Sequence, residues 1–134
     1  MKILKFGGSS VKTTERIELV VQLISSEHPC GVVVSAFGGI TDQLIQLIAY
    51  AERGADYNND LQLFFDRHRK TIHDLHIEKE LLFNTVQEIE NELSVTLSTI
   101  ANQKKCTPQL KDAALSVGEQ LSANIITEAC IEKE

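Results

Sequence analysis

Cysteine is scarce in this chain. Cys30, Cys106 and Cys130 are too few and too scattered for a disulfide framework, and no Cys-x-x-Cys pair suggests a zinc or redox site. All three are expected to be buried or partly buried thiols. Long apolar runs are missing too, since none approaches the roughly 20 residues a helix needs to cross a bilayer. The opening Met-Lys-Ile-Leu-Lys-Phe has no adequate apolar h-region and no small-residue cleavage site, so no secretory signal is expected and a cytoplasmic home is the default. Positive charge is in deficit. A formal net charge of −6 argues against nucleic acid or an anionic membrane as the main partner, because most of the surface would repel them. Neither Gly-x-x-x-x-Gly-Lys-Ser/Thr nor Gly-x-Gly-x-x-Gly occurs, which argues against a P-loop NTPase or a Rossmann dehydrogenase within these residues. No internal repeat, low-complexity tract or second-domain linker is visible. At 134 residues, 43% hydrophobic and 24% charged, the composition suits one core.

The most informative segment is Lys5-Phe6-Gly7-Gly8-Ser9-Ser10-Val11, directly after the apolar pair Ile3-Leu4. A short strand runs into two glycines and two hydroxyls, and an amphipathic stretch from Thr14 to Ser25 follows as a helix. The pattern reads as a phosphate cradle: without a Cβ, Gly7 and Gly8 can take positive φ, let the backbone approach an anion closely and aim N–H groups at it. The next helix turns its positive dipole end the same way, and Lys5 adds a full charge at the strand end. For a lone Gly-Gly pair the plainer reading is a glycine turn with a solvated lysine.

A second segment repeats that grammar. Gly31-Val32-Val33-Val34 is a β-branched run of the buried-strand type, and Ser35-Ala36-Phe37-Gly38-Gly39-Ile40-Thr41-Asp42 follows it. Leu44, Leu47, Ile48 and Ala51 then recur at helical spacing, with Gly54 placed to end the helix. Two strand–loop–helix units predict a βαβα arrangement with a parallel sheet, right-handed connections and both loops opening at one sheet edge.

Beyond residue 60 the pattern is helical. Leu61, Phe64, Phe65, His68, Ile72 and Leu75 make one stripe, and Leu82, Val86, Ile89, Leu93, Leu97 and Ile100 a longer one, predicting an antiparallel helical hairpin over the sheet. Tyr57-Asn58-Asn59-Asp60 and Asn102-Gln103-Lys104-Lys105 are the flanking loop candidates. His73 and His76, at i, i+3 and close to His68 in sequence, read as a solvated helical face rather than a metal site. Thr107-Pro108 is an N-cap and first-turn proline opening a short helix to Ser116. Gly118 is then expected to break or bend the chain, leaving Glu119 at a helix start, where the dipole alone would explain an acid. Two strands and about five helices are too few strands for a complete sheet of this class.

Three of these segments together resemble the aspartokinases, including those fused to homoserine dehydrogenase. Lys5 to Val11 is similar to that family's Lys-Phe-Gly-Gly-Thr-Ser-Val signature, Ser35 to Asp42 to its Ser-Ala-x-x-x-x-Thr-Asn segment, and Ser116-Val117-Gly118-Glu119-Gln120-Leu121-Ser122-Ala123 to its Gly-Glu-x-x-Ser block. Ser9 replaces the usual Thr and keeps the hydroxyl. Asp42 replaces a common Asn, and its added charge is expected to face away from an anion loop or to cap the next helix.

The resemblance implies an α/β fold, a parallel-sheet αβα sandwich of the amino acid kinase type, incomplete in this chain and helix-rich. Residues 1–134 would be the amino-terminal part of the catalytic domain, with the nucleotide-binding half and the ACT regulatory region lying beyond them. The activity implied is phosphorylation of the side-chain carboxylate of L-aspartate by MgATP as co-substrate, with no tightly bound cofactor and no metal held by the protein itself. It is the first step toward lysine, threonine and methionine. By the same resemblance Lys5 is catalytic, Lys5, Gly7, Gly8 and Ser9 bind the nucleotide phosphates, and Ser35, Ala36, Thr41 and Glu119 hold aspartate. Residues 1–134 alone are expected to be inactive, and strand edges left open by an incomplete sheet predict self-association into a homo-oligomer. The alternatives are a family member acting on glutamate, carbamate or a nucleotide monophosphate, and a non-catalytic helical interaction or regulatory module.

Overall fold

The computed structural model describes residues 1–133. Strand β1 (Lys2–Phe6) and strand β2 (Cys30–Val34) pair in parallel, with Phe6 opposite Val34, so both strands end on the same side. Between them a 3-10 turn (Gly8–Val11) leads into helix α1 (Thr14–Ser26), whose first turn is closed by the Thr13 hydroxyl accepting from the Arg16 N–H. Helices α2 (Ile40–Glu52), α3 (Asn58–Asp74), α4 (Glu80–Gln103) and α5 (Pro108–Glu132) complete the described chain. The parallel crossover, two strands and five helices agree with the expectation. Gly54, at φ 72°, follows the end of α2 as expected.

Leu4, Phe6, Cys30 and Val34 pack against the core, whereas Ile3 is 73% and Val33 53% exposed on the opposite side. Within the described residues the sheet is therefore covered on one face only, and the second helical layer of a sandwich is not supplied. All three cysteines are partly buried, as expected.

The helical stripes are core, but their partners differ from the predicted hairpin. Helix α4 packs chiefly against α5 and α2, and α3 lies against α2, with an Arg69–Glu90 ion pair of 2.5 Å bridging α3 to α4. The hydrophobic stripe of α5, from Ala114 through Val117, Leu121, Ile125 and Ala129, gives α4 a longer apolar partner than α3 offers. The polar loops also shrink, because Asn58–Asp60 form the first turn of α3 and Asn102–Gln103 the end of α4.

The histidines divide. His73 and His76 are exposed, but His76 has φ 58° and lies beyond the end of α3, so the two share no helix face. His68, a member of the predicted apolar stripe, is fully buried between Phe37, Phe64 and Phe65. Its Nδ1 lies 2.9 Å from the Phe64 carbonyl and so carries the proton, leaving Nε2 without a partner. Burial pushes its pKa down to about 4, so the ring is neutral in the fold.

A histidine neutral in the fold but titrating near 6.5 when unfolded contributes full stability above that pH and loses it as pH falls toward 4. The loss expected between pH 7 and pH 4 is about 3 kcal/mol. Urea unfolding at both pH values should show a smaller drop in His68→Phe than in the parent chain; equal drops would contradict the assignment.

Candidate functional site

The parallel pairing places the two glycine loops side by side at the carboxyl ends of β1 and β2. The Ser35 N–H donates to the Phe6 carbonyl at 3.0 Å, extending the ladder one step to where both loops begin. Glycine is needed here for close approach. A Cβ on Gly38 would lie 2.7 Å from Lys12 Cγ and 3.1 Å from the Gly8 carbonyl oxygen, so a side chain would force the loops apart. The positive φ open to Gly7 and Gly8 is not used: Gly7 is extended at φ −81°, and Gly8 opens the 3-10 turn. The left-handed residue of the site is Gly39, φ 86°, which ends the second loop and starts α2.

Helix α5 completes the site. It runs unbroken through Gly118, so the predicted bend is absent and Glu119 is a mid-helix residue. Continuous burial of Ala114, Val117, Leu121 and Ile125 on one side outweighs the roughly 1 kcal/mol that an interior glycine costs a helix. Gly118 serves tertiary contact instead, since a Cβ there would fall 2.7 Å from Ala36 Cβ and 3.1 Å from Ile40 Cγ2. One turn further on, the buried Ser122 hydroxyl donates to the Ser35 carbonyl at 2.7 Å. The Gly-Glu-x-x-Ser spacing thus becomes physical: Gly118 admits the loop, Ser122 fastens it, and Glu119 stands at its rim. Ser122 and Gly118 escaped the sequence reading as site-forming residues, although their i, i+4 spacing on one helix face was available.

An open cavity of about 250 Å³ results, lined by Gly8, Ser35, Ala36, Phe37, Gly38, Gly39, Thr41, Asp42 and Glu119. All three sequence motifs meet in it. Of the predicted residues, Gly8, Ser35, Ala36, Thr41 and Glu119 come together, while Lys5, Gly7 and Ser9 do not line it. Lys5 lies on β1 opposite Val33, exposed and without an ion pair among the described residues. Asp42 does not face away, nor is it the N-cap, a position held by Gly39. It sits in the first turn of α2 and lines the cavity, where an acid complements the helix dipole.

Chemically the cavity offers two carboxylates, two hydroxyls and the amino end of α2, whose first-turn amides have no intrahelical acceptor. It can hold a zwitterion, with the ammonium at the acids and a carboxylate at the helix end. Among the described residues no group of three or more His, Cys, Asp or Glu is placed to hold a metal ion, and no helix is long and apolar enough to cross a membrane.

A parallel α/β unit carrying a small-molecule pocket at the ends of adjacent strands defines the class of this protein. The family model described as the amino acid kinase family matches residues 1–134, and the chain belongs to that family. Within it, the chain is 30% identical over 129 residues to aspartokinase 1, chloroplastic, of Arabidopsis thaliana, covering 92% of this chain and 22% of the relative. It is 27% identical over 128 residues to the aspartokinase of Chlamydia pneumoniae, covering 96% and 27% respectively. Among solved structures it superimposes on E. coli aspartokinase III in complex with aspartate and ADP at TM-score 0.77, with 20% identity over 99% of this chain and 29% of that one. Clostridium acetobutylicum aspartate kinase gives 0.72, with 23% identity over 95% and 28%. The chain therefore spans about a quarter of the length of the relatives it matches.

Gly118→Ala tests the loop–helix contact. The added methyl meets Ala36 Cβ, which has no rotamer to retreat into. Overpacking of about 1 to 3 kcal/mol should outweigh the helix-propensity gain of about 1 kcal/mol. A lower unfolding free energy in urea is the expected outcome, and a more stable variant would contradict this contact.

Proposed function

We propose that this chain forms the aspartate-holding side of an aspartate kinase, an enzyme that transfers the γ-phosphoryl group of MgATP to the side-chain carboxylate of L-aspartate. The observation that carries this reading is the convergence of Ser35, Ala36, Thr41 and Glu119 on one cavity from two distant parts of the sequence. The likeness to aspartokinases along nearly the whole chain supports it.

In this mechanism Glu119, with Asp42 beside it, receives the α-ammonium of aspartate, a charge-assisted contact. Thr41, Ser35 and the amino end of α2 receive a carboxylate. The free side-chain carboxylate attacks the γ-phosphorus in line; the new O–P bond forms as the bond to the β–γ bridging oxygen breaks, and ADP leaves. The attacking group is already ionised at neutral pH, so no general base is required. Catalysis rests on alignment and charge neutralisation. Lys5, at the end of β1 next to the glycine loop, meets charge on the transferring group, and Gly7, Gly8 and Ser9 line its path. The divalent ion arrives with the nucleotide. The whole enzyme would serve the route to lysine, threonine and methionine in the cytoplasm, and the open edges of β1 and β2 favour self-association.

Two carboxylates and no cationic side chain in the cavity lining favour an ammonium-bearing substrate over carbamate or a nucleotide monophosphate. Neutralising the acid should therefore be costly. Glu119→Gln is expected to weaken L-aspartate binding about 10- to 100-fold by calorimetry, the value of a lost charged hydrogen bond. Unchanged affinity would remove Glu119 from the substrate site. Lys5→Met in the whole kinase should lower kcat about 100- to 1000-fold while leaving aspartate affinity nearly intact. Normal turnover would take Lys5 out of the catalytic role. Residues 1–134 alone should form no aspartyl hydroxamate with ATP and hydroxylamine, and robust formation would overturn the view that the nucleotide half lies elsewhere.

A further inference from the structure

The second glycine loop is held from behind by helix α3, which contributes nothing to the cavity lining. Arg67 Nη2 donates to the Gly38 carbonyl at 2.7 Å and reaches the Lys12 carbonyl at 3.4 Å. Lys12 closes the 3-10 turn of the first loop, so one guanidinium ties both glycine loops to one helix. Next to it His68 stacks on Phe37 at a centroid distance of 5.6 Å and an interplanar angle of 20°, fixing the residue before Gly38. Gly38 and Gly39 carry no side chains of their own to hold them, and Gly39 is in the left-handed region. A flexible pair at the mouth of a binding site needs an external anchor.

The geometry points to Arg67 as the positioning residue that presents the Gly39 N–H to the ligand. Carbonyl and N–H of a trans peptide point in opposite directions. By drawing the Gly38 carbonyl toward α3, Arg67 turns the N–H of the same peptide, that of Gly39, away from α3. That N–H donates to no protein group among the described residues, and Gly39 lines the cavity. It is thus set as a donor for a carboxylate or phosphoryl oxygen, beside the amino end of α2. The inference deepens the proposed kinase reading and rests on it for the ligand's identity, but the anchoring itself is independent of which anion binds.

Arg67→Met and Arg67→Lys should separate anchoring from folding. Hydrogen exchange of the amides between residues 36 and 42 is measured in the free protein, with the amides of α4 as the internal control. Arg67→Met should speed exchange in the loop about tenfold or more and leave α4 unchanged, since a carbonyl anchor worth a charged hydrogen bond has gone. Arg67→Lys, keeping one cationic donor, should recover part of the protection. L-Aspartate affinity by calorimetry should fall in the same order. Unchanged loop exchange in both variants, or equal acceleration in loop and α4, would overturn the proposal. If the parent chain bound no aspartate, the kinase reading would fail while the exchange result still decided the role of Arg67.

Discussion

The site depends on how closely α5 approaches the second loop. Without a Cβ at position 118 the helix can lie against Ala36, and the Ser122 hydroxyl can then reach the Ser35 carbonyl. These two contacts bring residues more than 80 positions apart in sequence into one wall, and bring Glu119 to the cavity that Thr41 and Asp42 also line. A side chain at 118 would meet Ala36 and Ile40 and push α5 away from the loop. The local helix penalty of glycine is small beside the cost of opening that contact.

A second constraint acts from the other side. The two glycine loops touch each other closely at Gly8, Gly38 and Lys12, and Arg67 clasps the carbonyls that this contact leaves facing α3. Phe37 and His68 fill the space behind, where the neutral imidazole serves as a flat apolar body. A second arginine acts similarly on the first loop, as Arg16 Nη1 donates to the Ser9 carbonyl at 2.6 Å. The loops owe their shape to cations bound to carbonyls on the outside, which leaves the cavity itself lined with hydroxyls, amides and two acids.

Much of this was legible in the residues themselves. The β-branched run at 32–34 and the apolar pair at 3–4 marked the parallel strands, and the 3.6-residue spacing marked α1 and α2 nearly to their ends. Thr107 caps α5 as a hydroxyl at a helix start does. What failed depended on tertiary partners. Local propensity sees only the flexibility of Gly118, which predicts a break, and not Ala36 across from it. His73 and His76 do not share the helix face that their spacing suggests, because α3 ends at Asp74 and His76 turns to φ 58° beyond it. Gly7 and Gly8 do not use the positive φ open to glycine; Gly8 instead lies against Ala36 and Gly38 of the second loop, a proximity that only the fold reveals.

The central claim is that three separated motifs form one amino-acid pocket. An amide-resolved NMR titration of the 15N-labelled chain with L-aspartate tests it most directly. The account predicts that Gly8, Ala36, Gly39, Thr41 and Glu119 shift together with a single dissociation constant, while His76 and the α1–α5 surface stay still. Shifts confined to one motif, or centred away from this cavity, would contradict it.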